Sequence, residues 1–236
     1  MPWSVYNSNG KLLQSLVISD NAVTNAKVAD DAIGVAELSA SGTASNSTFL
    51  RGDNAWAAAG GGALTLVNTT TISSASDVTI TGLTNTYDAF LIVGSEISLA
   101  THSASLWLRC GDSSGVDSGS SDYSYSVEYL QAGTTSHSQL SSEGATHIVL
   151  INYMSSQSQS WHGGGFHCWL YRNGGSGGST MATFTGQGVS YYGANMIGGT
   201  FIGARNTTID IDRIQIRANS GNVATGRLTV WGLKHT

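Results

Sequence analysis

The chain has 236 residues, enough for one or two domains with a buried core. Charged residues make up 11% of it, where an ordinary soluble domain has roughly 25%. Glycine contributes 30 residues without a three-residue period and proline only one, which excludes collagen. The formal charge is −5, and neither part of the sequence carries a basic patch. A surface that binds nucleic-acid backbones is therefore excluded. No apolar run approaches the roughly 20 residues of a membrane-spanning helix, so we expect no membrane insertion.

The N-terminal residues and the cysteines point away from a disulfide-rich secreted protein. Met1–Ser4 lacks the basic start and apolar stretch of a signal peptide, so we expect no secretion by that route. Cys110 and Cys168 could form one disulfide bridge, but a disulfide scaffold needs more cysteines than two. We predict two buried thiols, because free cysteine behaves as a small apolar residue.

The first segment, residues 1–20, contains one hairpin signal. Asn9-Gly10 lies between two runs of strand-forming residues, and Asn-Gly tolerates the positive φ angles of a tight hairpin turn. A lone hairpin is marginal in water, so it needs a surface on which to dock. The alternative interpretation is a frayed chain end.

An internal ten-residue repeat follows, at Asn21–Asp30 and Asp31–Ala40. Its large apolar residues recur every five positions and therefore scatter around a single helix. Its alanines instead step by four and three, the spacing of a coiled-coil seam. An extended fibrous winding and a short helical bundle both remain open, and in both the apolar residues are buried against other copies of the chain. These apolar residues are Val23, Val28, Ile33 and Leu38.

The composition changes at the linker Ala57–Gly62, which has no side chain that could pack. We therefore divide the chain into residues 1–20, residues 21–62 and a head of residues 63–236. The head alternates apolar and polar residues with a period of two and has turn residues between the runs, which predicts an all-β, jelly-roll-like β-sandwich. The clearest runs are Leu64–Val67, Asp77–Thr81, Ser105–Arg109, Tyr123–Tyr129 and Ile209–Arg217, with Ala89–Val93 and His147–Ile151 as inner strands.

Three segments of the chain resemble a known family. The repeat Asn25–Ile33, the junction Ser47–Trp56 and the closing strands Ile214–Leu233 resemble, in this order, the shaft, junction and head of bacteriophage tail fibres and related virion fibres. The sequence departs from that pattern at Asn54, where glycine is more usual, and at Trp231, where tyrosine is common. Asparagine also enters turns, and tryptophan is a comparable apolar anchor.

The resemblance implies a homotrimeric structural fibre of the virion, assembled in the cytoplasm of the bacterial host. Its N-terminal segment would attach to an adaptor, portal, baseplate or capsid protein, its repeats would form a trimeric shaft, and its head would bind a polysaccharide or protein of the bacterial surface. The alternatives are a decoration protein of the head or tail that recognises nothing, and a tailspike that degrades polysaccharide. The residues expected in virion attachment are Trp3, Val5, Tyr6, Leu12 and Leu13.

Three patterns suggest other chemistry, but each has a simpler structural interpretation. Arg51–Asp53 is the tripeptide that integrins bind, and we expect a tight turn there with Gly52 supplying the conformation. His167 and Cys168 would face opposite sides of a strand, so a metal site over His162–Cys168 is not expected. Asp210 and Asp212 share one strand face, as a glycosidase pair might, beside Arg213. We expect no enzymatic activity, no cofactor and no metal.

Aromatic residues set among Ser, Asn and Gly favour a recognition surface in the head. Alternation buries about half of them, and the exposed ones should lie in loops. We predict receptor contacts in Ser155–Gly165 and Tyr171–Ser179. The candidate residues are Trp161, Tyr171, Tyr123 and Tyr125.

Overall fold

The structure is a computed structural model of the whole chain. It describes residues 6, 8–9, 20, 22–30, 32–34, 37–58, 63–134, 137–173 and 181–234. The chain divides into two compact units, Met1–Gly60 and Gly61–Thr236.

The fold is all-β, which confirms the predicted class. Apart from one 3-10 turn at Asn25–Lys27, all regular elements of the described residues are strands, and none of these residues lies in a helix that is long and apolar enough to cross a bilayer. The strands are β1 (Thr48–Leu50), β2 (Trp56–Ala58), β3 (Leu64–Ala75), β4 (Asp77–Thr81), β5 (Ala89–Leu99), β6 (Ala104–Asp112), β7 (Gly115–Val116), β8 (Tyr123–Gln131), β9 (His137–Ala145), β10 (Ile148–Met154), β11 (Gly164–Asn173), β12 (Met181–Tyr192), β13 (Asn195–Arg205), β14 (Arg213–Ala218) and β15 (Val223–Leu233).

Among its described residues the first unit contains one hairpin, formed by β1 and β2. Its turn spans Arg51–Asn54, where the Asn54 N–H donates to the Arg51 carbonyl at 3.0 Å. The predicted tight turn is therefore present, but Asn54 rather than Gly52 has the left-handed conformation, with a φ of 60°. Asparagine adopts this conformation more easily than most residues.

Most of the N-terminal hairpin predicted around Asn9-Gly10 lies outside the described residues. Between residues 20 and 47 the described residues contain no regular element besides the 3-10 turn. The choice between an extended winding and a helical bundle for the repeats therefore remains a prediction.

The second unit consists of two antiparallel sheets. The larger has eight strands in the order β3-β15-β5-β11-β12-β13-β8-β9, and the smaller has the order β10-β6-β14-β4 with β7 paired to β6. One hydrophobic core cluster takes residues from the inner faces of both sheets, as in a β-sandwich. In β11, for example, Phe166, Cys168 and Leu170 point into the core, while Trp169 and Tyr171 point outward.

Both cysteines belong to this core as free thiols, as predicted. Burial raises the pKa of Cys110 to about 12, and it raises the pKa of Cys168 as well. Burial disfavours the thiolate, so both side chains behave as small apolar groups.

Glycines on the inner face of the large sheet allow the small sheet to approach closely. A Cβ atom added at Gly188 would lie 2.6 Å from Cγ1 of Ile151, and one added at Gly203 would lie 2.7 Å from Cδ1 of Ile148. Both isoleucines belong to β10 and are buried. Side chains of one sheet therefore occupy the space that glycines leave in the other.

The prediction of one strand over Ile209–Arg217 is wrong in its first half, because β14 begins only at Arg213. The Asp212 N–H donates to the Gly111 carbonyl at 3.1 Å, and the Asp212 carbonyl accepts from the Leu83 N–H at 3.0 Å. Ile209 and Ile211 are still buried, so the alternating pattern is satisfied by an irregular segment that packs on the core.

Candidate recognition site

The loop of residues 155–163 joins β10 to β11 and is fixed to its surroundings by hydrogen bonds. Ser155 is fully buried, and its Oγ accepts from the Gly193 N–H at 2.8 Å while its own N–H donates to the Tyr191 carbonyl at 2.6 Å. The Gln157 N–H donates to the Leu99 carbonyl at 2.9 Å. This anchored loop presents Trp161, whose side chain is 57% exposed.

Trp161 is one of five rings gathered where β12 ends, which we call the aromatic end cluster: His102, Tyr153, Trp161, Tyr191 and Tyr192. The ring of Trp161 lies 5.8 Å from that of Tyr191. Tyr192 lies 5.6 Å from Tyr153 and stacks on His102 at 5.4 Å. Tyr191 and Tyr192 are consecutive in β12, so their side chains point to opposite faces of the sheet. The two groups of rings therefore lie on opposite sides of the same strand end.

Tyr153 has an unusual backbone within this cluster, with a φ of 62°. A bulky residue in the left-handed region is strained, by roughly 1–3 kcal/mol, and such strain often lies at functional sites. The Tyr153 carbonyl accepts from Oγ of Ser190 at 3.2 Å, and the pairing of β10 with β6 is irregular between Ile151 and Met154. A bulge of this kind turns a side chain to a new direction, and the Tyr153 ring is exposed.

The loop beside the cluster is polar but carries no Asp, Glu, Lys or Arg. Residues 156–160 alternate serine and glutamine, and the Nδ1–H of His162 donates to the Gln159 carbonyl at 2.7 Å. Aromatic faces can stack on sugar rings or on apolar side chains, while hydroxyl and amide groups supply hydrogen bonds around them. The arrangement suits an uncharged ligand such as a neutral glycan.

The structure separates the two segments in which receptor contacts are predicted, Ser155–Gly165 and Tyr171–Ser179. Tyr171 is exposed but lies near the far end of β11 from Trp161. At about 3.4 Å per residue, the strand from Gly164 to Tyr171 alone spans about 24 Å. Residues 174–179 of the second predicted loop lie outside the described residues.

Tyr123 is a core residue, so its prediction as a receptor contact is wrong. Its hydroxyl accepts from the Cys110 N–H at 2.9 Å and has the carbonyls of Cys110 and Asp117 within 3.1 Å as acceptors. The guanidinium of Arg205 lies 5.7 Å from its ring centre, and its Nε donates to Asp117 at 2.9 Å. Burial raises the pKa of the Tyr123 hydroxyl, which stays protonated.

Tyr125 is half-buried and lies beside a second aromatic pair. Its ring is 5.8 Å from His147, which stacks on Trp107 with ring centres 3.5 Å apart. Burial and the nearby guanidinium groups of Arg109 and Arg217 lower the pKa of His147 to about 4. The imidazole of His147 is therefore neutral at physiological pH. Tyr125 is half-buried and so presents less surface to a ligand than the exposed Trp161 does.

Trp161 is the one member of the aromatic end cluster among the candidate residues predicted from the sequence. His102 lies between β5 and β6, and Tyr153 lies in an apolar run that predicts a buried strand. Only the left-handed backbone of Tyr153 exposes its ring, and no local sequence pattern marks that conformation.

The other candidate sites have structural partners. Arg51 and Asp53 form an exposed ion pair at 3.2 Å. Asp210 accepts from Arg172 at 2.9 Å, and Asp212 is paired with Arg213. Within the described ranges no three His, Cys, Asp or Glu side chains are grouped as metal ligands. His167 is exposed and Cys168 buried, so these two side chains point to opposite faces as predicted.

The predicted attachment and shaft residues belong to the first unit. Tyr6 is exposed, whereas the remaining attachment residues lie outside the described residues: Trp3, Val5, Leu12 and Leu13. Val23 is 63% exposed and Ile33 is also exposed, while Val28 and Leu38 are half-buried.

No protein-family model matches the chain, and comparison with curated proteins and with solved structures gives no match either. Assignment of function therefore depends on the sequence resemblance and on the geometry of the aromatic end cluster.

Proposed function

We propose that the chain is the subunit of a homotrimeric bacteriophage virion fibre. Its N-terminal segment attaches to a protein of the particle, residues 21–62 form a short shaft and linker, and the β-sandwich head of residues 63–236 binds the bacterial surface. The role is binding rather than catalysis, and the fibre acts in the virion.

The aromatic end cluster is the observation that carries this proposal. It places an exposed tryptophan, Trp161, on a loop anchored by Ser155 and against the ring of Tyr191, with the exposed ring of Tyr153 near the same strand end. Rigid aromatic area rimmed by serine and glutamine binds ligands with little loss of side-chain entropy. Several copies of such a site on each particle would add their weak affinities by avidity.

The first unit supports the homotrimer. Val23 and Ile33 are exposed in the single chain although they are its regularly spaced apolar residues. Apolar surface of this kind is stabilised when other copies cover it. Surface shared between copies also gives a physical reason for the low charge content of 11%.

The two alternatives differ from this proposal in what the head does. A tailspike needs a catalytic pair of carboxylates, and the pair suggested by the sequence, Asp210 and Asp212, is held by arginines instead. A decoration protein needs no exposed recognition surface, and the aromatic end cluster would then have no ligand.

Binding of the labelled full-length chain to a panel of bacterial strains tests the proposal. Polysaccharide extracted from each strain that binds is then used as a competitor. We expect Trp161→Ala and Tyr153→Ala each to weaken cell binding by roughly tenfold or more, since buried aromatic anchors dominate binding energies. Phe49→Ala is the matched control, because it removes an exposed ring of the first unit.

The near-ultraviolet circular dichroism of each variant shows whether the head remains folded. Folded Trp161→Ala protein that binds cells as strongly as the unaltered chain would contradict the proposed site. A chain that binds none of the strains, in an assembly of confirmed trimers, would favour the decoration protein.

A further inference from the structure

The outward face of the eight-stranded sheet is unusually apolar. Side chains of paired residues lie on the same face of a sheet, so the exposed tyrosine of β11, Tyr171, marks the outward positions of neighbouring strands. Large apolar side chains occupy many of these positions, and Leu130 and Ile202 are 61% and 60% exposed. Leu66, Val189 and Met196 share the face and are exposed as well.

Among the described residues, the regularly paired centre of this face is free of charged side chains, and Glu96 is exposed in the irregular part of β5. The described outward positions of β5, β11, β12 and β13 carry no Asp, Glu, Lys or Arg where these strands pair regularly. Arg227 lies on β15, the second strand of the sheet, and Glu128 lies on β8, the seventh. Arg227 therefore lies towards one side of the face and Glu128 towards the other, with no charged side chain at the regularly paired positions between them.

The size of the face matches that of a stable protein interface. Eight strands about 4.8 Å apart span about 34 Å, and the outward residues from Gly165 to Tyr171 cover about 20 Å along a strand. The product, about 700 Å², is close to the roughly 800 Å² that each partner buries in a standard interface. Two shallow depressions of about 660 and 570 Å³ on this face would receive protruding side chains.

We propose that this face is the contact surface between copies of the chain in the assembled fibre, with the Arg227 side of one copy against the Glu128 side of the next. Such a contact joins two different parts of one face, and a heterologous contact of this kind closes into a three-membered ring when each copy is rotated by about 120° from the last. The inference rests on the proposed homotrimer and identifies its interface in the head.

This arrangement assigns Tyr171 to the interface between copies rather than to receptor binding. The rings of Tyr171 and Trp169 are stacked on the outward face, with their centres 6.2 Å apart. Tyr171 also lines the larger depression. Of the aromatic end cluster, Tyr191 pairs with Met196 at the end of this face, whereas Tyr192 and Tyr153 lie on the other side of the strand. The cluster remains the proposed receptor site, at the rim of the interface.

Photo-crosslinking of the full-length chain tests the contact directly. A photoreactive phenylalanine analogue replaces Ile202, at the centre of the face, and in a second preparation it replaces Tyr153, which is exposed outside the face. We expect illumination to produce covalent multimers from position 202 and none from position 153. Crosslinking from position 202 does not depend on whether the shaft also holds the copies together.

Charge reversal tests the proposed pairing of the two sides. Within one chain Arg227 and Glu128 are five strand spacings apart, about 24 Å, so any direct coupling between them arises between copies. We expect Arg227→Glu and Glu128→Arg each to raise the concentration at which the assembly dissociates by about tenfold, and the double variant to recover. His137, 3.1 Å from Glu128, is unchanged in all variants.

Absence of covalent multimers from position 202, or a double variant that does not recover, overturns the inference. Mass measurement by light scattering reports assembly, and cell binding reports recognition, so the two proposals can fail separately. A crosslinked assembly that binds no cells leaves this interface intact while the receptor function fails.

Discussion

His147 is the residue whose environment most clearly predicts a dependence on pH. It stacks on Trp107, and the guanidinium groups of Arg109 and Arg217 lie nearby, which lowers its pKa to about 4. In the unfolded chain the pKa returns to its ordinary value of about 6.5. The folded state therefore holds fewer protons than the unfolded state between these two values.

The neutral His147 should therefore add its full share to the free energy of unfolding above about pH 6.5. This share should be lost as the pH falls towards 4, because the unfolded chain then binds a proton that the folded chain does not. For a half-buried ring we expect a loss on the order of 1–2 kcal/mol after solvent screening. Urea unfolding at pH 7.5 and pH 4.5 measures it. His147→Gln should lose less stability on acidification than the unaltered chain.

His137→Gln is the control for this measurement, because His137 is exposed on β9. Between pH 7.5 and pH 4.5 that variant should lose as much free energy of unfolding as the unaltered chain. Equal acid sensitivity of His147→Gln and the unaltered chain would show that His147 is not the responsible group.

At the scale of strands, glycine positions control how closely the two sheets pack. Gly203→Ala would place a Cβ atom 2.7 Å from Ile148, which is buried in β10. Overpacking of this kind costs about 1–3 kcal/mol, so we expect a lower free energy of unfolding in urea. A variant that unfolds at the same urea concentration as the unaltered chain would mean that the two sheets can move apart slightly to accept the Cβ atom without loss of unfolding free energy.

Gly144→Ala is the matched control, in β9. A Cβ atom there would have its nearest neighbour at 3.6 Å, an ordinary van der Waals contact, and Gly144 has no positive φ. We expect this variant to differ from the unaltered chain by no more than about 0.5 kcal/mol.

The strands were predictable where a local pattern decides them. Asp77–Thr81 alternates with a period of two and is β4 with the same bounds. Ile209–Ile211 alternates equally well but forms no strand, because Asp212 bonds to Gly111 and Leu83 instead of extending β14. Which backbone neighbour a strand end meets is decided by the tertiary fold and is not encoded in alternation.

The aromatic end cluster, the proposed recognition surface, was predictable only in part for the same reason. Trp161 lies among Ser, Gln and Gly, a composition that marks an exposed loop. Tyr123 and Tyr125 lie in an alternating run that fixes a shared face but leaves open which face is buried. Tyr153 was hidden in an apolar run, since its exposure follows from a bulge that forms against β6.

At the scale of the whole molecule, the two units differ in how they are stabilised. All residues of the hydrophobic core cluster lie between Ile72 and Val230, within the second unit. Of the four large apolar residues of the repeat, Val23 and Ile33 remain exposed in the single chain. Burial of apolar surface is the main favourable contribution to folding, so the second unit has its own source of stability. The proposed homotrimer would bury these exposed residues of the first unit.

We therefore expect residues 61–236, produced alone, to fold. The fragment should keep the near-ultraviolet circular dichroism of the packed aromatic residues and should unfold cooperatively in urea, because it contains the complete core cluster. Residues 1–60 produced alone should show neither property. A fragment 61–236 without near-ultraviolet signal would mean that the second unit folds only in the presence of the first, contrary to this prediction.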